Sequence, residues 1–220
     1  MKALRLVLDF IPLGFSALLP VLNPIGSAML FLQFVPNVDF ETTKNLARRI
    51  AVNAVLFLFI VQITGAYILR FFGISLPIVQ IAGGLVLASM GWSLLTKPDP
   101  EAHSSGVAGS PDSLDDRVFY PLTFPITAGP GCIVVALTLS AHASEEGTLV
   151  NTAFAHLGLL IATVLLGFVV YFSYAYADRM AAKLSHAVSQ GILRVISFIL
   201  LCIGGEIIWN GIQHLLKTVS

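Results

Sequence analysis

Two short stretches hold the residue types that could handle a solute. Pro20-Val21-Leu22-Asn23-Pro24-Ile25 and Pro121-Leu122-Thr123-Phe124-Pro125-Ile126 share one pattern: proline, aliphatic residue, two variable residues, proline, isoleucine. Gly26-Ser27-Ala28 follows the first and Thr127-Ala128-Gly129-Pro130-Gly131 the second. Proline inside a helix removes a backbone donor and clashes with the carbonyl four residues back, so paired prolines beside glycine are expected to break a helix. Glycine lets a ligand approach the backbone closely. The half-helix beginning after each break directs N–H groups and the positive end of its dipole at the break, which suits a carboxylate. Carbonyls released on the other side suit an ammonium or a cation, so two adjacent breaks would hold a zwitterion. The candidate substrate-binding residues are therefore Asn23, Pro24, Gly26, Thr127, Gly129 and Gly131. Asn23 is expected to present its amide without unusual backbone geometry.

The remaining polar groups in apolar surroundings are few: Asn53, Gln62, Thr64, Gln80, His156, Glu206 and Asn210. Glu206 is the only acid well inside an apolar run, where a charge costs at least ~2.5 kcal/mol. It is the candidate coupling residue, weighed against a Glu at the membrane interface marked by Trp209. His156 reads first as a packed or interfacial histidine and second as a proton relay. Gly83, Gly84, Gly91, Gly204 and Gly205 read as close helix contacts. No metal-ligand spacing and no nucleophile–base spacing is present, and the H-E-x-x-H, G-x-S-x-G, Walker and G-x-G-x-x-G patterns are missing. Neither a catalytic residue nor a cofactor is expected.

The elements that must position these residues follow from where charge is missing. The 220 residues are 56% hydrophobic and 11% charged, with twelve basic and twelve acidic side chains. That balance excludes a soluble enzyme of ordinary composition and gives no basic face for nucleic acid. Cys132 and Cys202 cannot form a disulfide or metal framework. Residues 10–38, 50–69, 71–96, 118–144 and 147–177 contain no Asp, Glu, Lys or Arg, and a sixth apolar stretch runs over about 192–216. Each is long enough for a helix of roughly 20 residues to cross the hydrocarbon core. The expected fold is all-α and polytopic, with six transmembrane helices.

The hydrophilic segment 97–117, rich in Pro, Gly, Ser and charge, divides the chain into a first three-helix repeat (1–96) and a second (118–220). An odd number of spans inverts the second half relative to the first. Inverted repeats with helices interrupted at matching places, here helices 1 and 4, point to a transporter site. Eight Lys and Arg lie on the side of the 97–117 linker and four on the other. The linker is therefore expected to be cytoplasmic and both termini periplasmic.

At this point the chain resembles the MarC family. The segment Leu22-Asn23-Pro24-Ile25-Gly26 and the run Phe124-Pro125-Ile126-Thr127-Ala128-Gly129-Pro130-Gly131 carry the resemblance, which extends over nearly the whole chain. It implies a bacterial or archaeal inner-membrane protein, and some members are described as neutral amino acid transporters. The reading is a secondary transporter for small neutral amino acids or related metabolites, working by alternating access. Its partners are membrane lipid and a small-molecule substrate, with no nucleic acid. The alternative is a passive channel or an accessory membrane protein acting through a partner.

Overall fold

The computed structural model describes residues 2–35, 38–96, 114–144, 147–183 and 186–219, and among them the backbone is helical with no strand. In chain order the elements are α1 (Lys2–Leu22), α2 (Pro24–Phe34), α3 (Phe40–Phe71), α4 (Leu76–Thr96), α5 (Leu114–Arg117), a wide-turn segment Val118–Thr127, α6 (Pro130–Ser144), α7 (Leu149–Ala175), α8 (Ala177–Lys183) and α9 (His186–Val219). Five helices are long and apolar enough to cross a membrane. The count reaches six when Asp115–Thr127 and Pro130–Ser144, bent by 67°, form one span. The hydrophilic linker expected over 97–117 lies outside the described residues apart from Leu114–Arg117.

Local chemistry explains where the long helices begin. The Asp39 carboxylate accepts the Thr42 N–H at 3.0 Å and its hydroxyl at 2.7 Å, capping α3. Glu41 in the first turn and Arg70 in the last complement the helix dipole. Thr148 Oγ1 accepts the Asn151 N–H at 3.2 Å and caps α7.

Packing is between helices rather than against water. α1 lies along α7, α3 packs on α7, α6 and the wide-turn segment, and α4 pairs with α9 and also touches α6. The α4–α9 pair runs antiparallel at very close range. A methyl carbon on Gly84 would sit 2.6 Å from the Gly204 carbonyl oxygen, and one on Gly91 would sit 2.7 Å from the Leu201 amide. At the far end, one on Gly211 would sit 2.8 Å from the Pro77 carbonyl. Lipid tails are as apolar as leucine, so contact of this kind, rather than hydrophobic burial, holds such helices together. For the same reason Leu56, Ile60, Phe168, Trp92 and Trp209 stand exposed on the outer faces.

One end of the bundle carries a cluster of interface chemistry. The Arg179 guanidinium lies 4.8 Å from the Phe40 ring centre and 5.4 Å from that of Tyr176, and the Lys44 ammonium lies 5.1 Å from Phe40. Arg49 forms an ion pair with Asp115. Aromatic rings interleaved with cations mark a membrane–water boundary. The ion pair places the start of α3 and the start of the fourth apolar run at the same end.

Candidate functional site

The first break falls at one residue. α1 absorbs Pro12 and Pro20 and ends only at Leu22, so Pro20 does not interrupt the helix as the paired-proline pattern suggested. Asn23 adopts φ 44° and ψ 60°, the left-handed region. This corrects the expectation of ordinary backbone there; Asn tolerates that conformation better than residues other than glycine. The Asn23 carboxamide oxygen accepts the Gly26 N–H at 3.1 Å, and the Ser27 hydroxyl donates to the Asn23 carbonyl at 2.9 Å. A side-chain carbon on Gly26 would collide with that carboxamide, so glycine there makes room for the cap. Backbone bonds bridge the interruption, Asn23 N–H to the Leu19 carbonyl at 3.1 Å and Ser27 N–H to that of Asn23 at 2.8 Å. α1 and α2 consequently continue as one span, Ala3–Leu32.

The second break is wider. Tyr120 and Phe124 are extended, each followed by a cis peptide bond to proline, at Pro121 and Pro125. Proline disfavours the helical region for the residue before it; Leu19 stays helical before Pro20, but Tyr120 and Phe124 both leave it, and no complete helical turn remains between them. Hydroxyls take over from the lost ladder. Thr123 Oγ1 donates to the Val118 carbonyl at 2.7 Å, and Thr127 Oγ1 donates to that of Leu122 at 2.6 Å. The chain then turns 67° into α6.

The two breaks sit side by side. A methyl carbon on Gly131 would contact Leu87 of α4 and lie 3.1 Å from Val21 Cγ1, in the last turn of α1. The link on the other side is Tyr174 of α7, which is fully buried. Its hydroxyl lies 2.7 Å from Thr127 Oγ1 and also interacts with Ser27. Its ring stacks on Phe31 of α2 with centres 4.9 Å apart. Because Thr127 spends its proton on the Leu122 carbonyl, it accepts from Tyr174. Sequence reasoning passed over Tyr174 and Ser27. The only available signal was a tyrosine within an apolar run, which is ordinary in membrane helices.

Pro24 and Pro130 are the first residues of α2 and α6, so neither helix start has a donor at that position. At α2 the Gly26 and Ser27 amides are taken by Asn23. At α6 the Cys132 and Ile133 amides turn to the Gly129 carbonyl at 3.0 and 3.4 Å. Pro24, Gly26, Thr127, Gly129 and Gly131 are all buried, and Asn23 is half-buried. Leu22 and Leu122, next to the breaks, are buried. The six candidate residues thus lie in one buried region. Glu206 does not join them: it stands on an exposed face of α9, where Asn210 donates to it at 3.5 Å.

Comparison with known proteins places residues 8–216 under the model of the MarC family, described as integral membrane proteins. The inner membrane protein MarC of Escherichia coli (strain K12) is 29% identical over 217 residues, covering 94% of this chain and 96% of that protein. The protein of the same name from Shigella flexneri matches to the same extent. No solved structure matches the chain.

Proposed function

Because the chain belongs to the MarC family of integral membrane proteins, we propose that its two broken helices form the central site of a secondary transporter for small neutral amino acids or related metabolites. The observation that carries this reading is the meeting of the breaks beside Tyr174, whose hydroxyl joins Thr127 of one to Ser27 of the other. In a bilayer, non-helical backbone is tolerated only when it is buried in protein or lines a cavity. An apolar bundle that buries two such interruptions against each other has a use for them. A carboxylate would lie at the helix starts, and an ammonium would lie against carbonyl oxygens at the breaks.

The arrangement of helices supports an inverted repeat. α1 packs on α7 while the wide-turn segment and α6 pack on α3, which is the contact expected when spans 1 and 4 exchange roles and spans 2 and 5 exchange roles. α3 pairs with α7 and α4 with α9, each with its counterpart. Alternating access would then be a rocking of the two halves about the breaks.

The test is counterflow in proteoliposomes loaded with unlabelled L-alanine or L-threonine. The expected result is saturable accumulation of the labelled amino acid, with a sharp loss in Asn23→Gly, which removes the carboxamide yet tolerates the left-handed backbone. Linear, non-saturating flux, or no flux for any of a panel of neutral amino acids, would refute the transporter reading.

A further inference from the structure

The seam between α4 and α6 holds two enclosed polar atoms without partners. Gln80 on α4 is 4% exposed, and its carboxamide oxygen has no hydrogen-bond partner among the described residues. The hydroxyl oxygen of Thr138 on α6 is enclosed in the same way and has none either. Helix threonines elsewhere in the chain turn the hydroxyl back on the carbonyl four residues earlier. Thr64 bonds to Ile60, Thr96 to Trp92 and Thr163 to Leu159, each at 2.8 Å. Thr138 makes no such bond, so its hydroxyl stands clear of its own helix.

Helix register brings the two atoms together. A methyl carbon on Gly83 would collide with Val134, and one on Gly131 with Leu87. As α4 advances from 83 to 87, its neighbours on α6 run back from 134 to 131, so the pair is antiparallel. Gln80 lies seven residues before Leu87, and Thr138 seven after Gly131. Seven residues are close to two turns, so both side chains fall on faces that already meet, about 10 Å from the second break. Gly211 of α9 approaches from a third side, where a methyl carbon would sit 3.1 Å from Gln80 Cβ. The place is inside the apolar span Leu76–Thr96, about one turn from its first residue.

A buried oxygen without a donor is costly, and lipid offers no donor to replace water. Two such atoms at facing positions, not bonded to each other, can be satisfied by one group. We infer that Gln80 and Thr138 form a binding site for a small hydrogen-bond donor that bridges their oxygens, either a water molecule or a primary ammonium. Both present O–H or N–H groups to two acceptors at once, and a buried water needs two to four polar partners. No residue named at this seam is charged, which suits a neutral or singly charged group. The inference needs nothing from the transporter reading, since it concerns other residues and is tested by stability.

Melting of the purified full chain tests it with Gln80→Met, Thr138→Val and the double substitution, each close in size to the parent side chain. A bridging donor ties the two oxygens together, so losing either one strands the other. Each single substitution should lower Tm by roughly 2–8 °C, and the double should lower it by less than the sum. Where nothing bridges them, removing an unpaired buried oxygen is neutral or stabilising, and the two effects add. A Tm unchanged or raised in either single variant, or losses that simply add, therefore overturns the site. If the double variant does not fold, the signs of the two single shifts decide. Methylammonium chloride compared with sodium chloride at equal ionic strength then identifies the donor. A saturable rise in Tm that Gln80→Met removes assigns an ammonium, and any other response assigns water.

Discussion

Tyr174 joins the two interruptions, and its hydroxyl can be removed without removing the ring. Tyr174→Phe keeps the stack on Phe31 but leaves Thr127 Oγ1 without its donor. Losing one buried hydrogen bond costs about 1 kcal/mol. A loss of that order in the unfolding free energy of the purified protein is expected, and an unchanged value would show that the pair contributes nothing. Asp39 gives a second expectation, this time for pH. The Thr42 hydroxyl, followed by its N–H, holds the Asp39 carboxyl below its ordinary value. A lowered folded-state value means the cap contributes fully above the unfolded aspartate range and is lost as pH falls through the folded value. The Tm difference between the parent and Asp39→Ala should therefore be constant from neutral pH to about 5 and shrink below about pH 4. A difference that instead grows on acidification would contradict this origin.

Between elements, the α4–α9 seam shows how little space the fold leaves. Gly84 and Gly204 bring the two backbones together, and a methyl carbon on Gly204 would sit 2.6 Å from the Ala88 amide. Backbone cannot retreat as a flexible side chain can. Gly84→Ala and Gly204→Ala should each cost about 1–3 kcal/mol by forcing the helices apart. Gly205→Ala, which meets nothing nearby, should be close to neutral. Comparing the three melting temperatures tests whether contact geometry or helix propensity governs the seam, since propensity alone would make all three substitutions stabilising. The two breaks make a related point. Near-identical proline patterns produce a single left-handed residue in one half and a 67° bend in the other. At Asn23 the hydrogen-bond ladder closes across the gap. At Phe124 the turn below is already open, because Tyr120 is extended where its counterpart Leu19, before Pro20, stays helical.

For the whole molecule the open question is which way it faces. The cation-rich end bearing Lys44, Arg49 and Arg179 is also the end where Arg49 meets Asp115. Excess Lys and Arg favour the cytoplasmic side. The expected outcome is that a reporter active only in the cytoplasm is silent when fused after Ser220 and active when inserted in the 97–113 segment. The opposite pattern would invert the orientation.

Much of this architecture was legible in the order of residues. Charge-free runs of roughly 20 residues are membrane helices for a physical reason, since hydrocarbon admits little else. The breaks were legible because proline acts on its own neighbours, through a missing donor and a steric clash that need no tertiary contact. The α4–α9 glycines were readable as contacts in kind, though not as pairs. What the sequence could not contain was which groups meet. Tyr174 lies 47 residues from Thr127, and Ser140 lies 78 from Gln62. Nothing in their local spacing marks them, because a buried hydroxyl finds its partner through packing of whole helices. The same holds for Asn23, whose side chain the sequence leaves free for a ligand and the fold lays over Gly26. Local backbone chemistry wrote the elements and their interruptions. The packing of α7 and α3 against them decided which polar groups face one another.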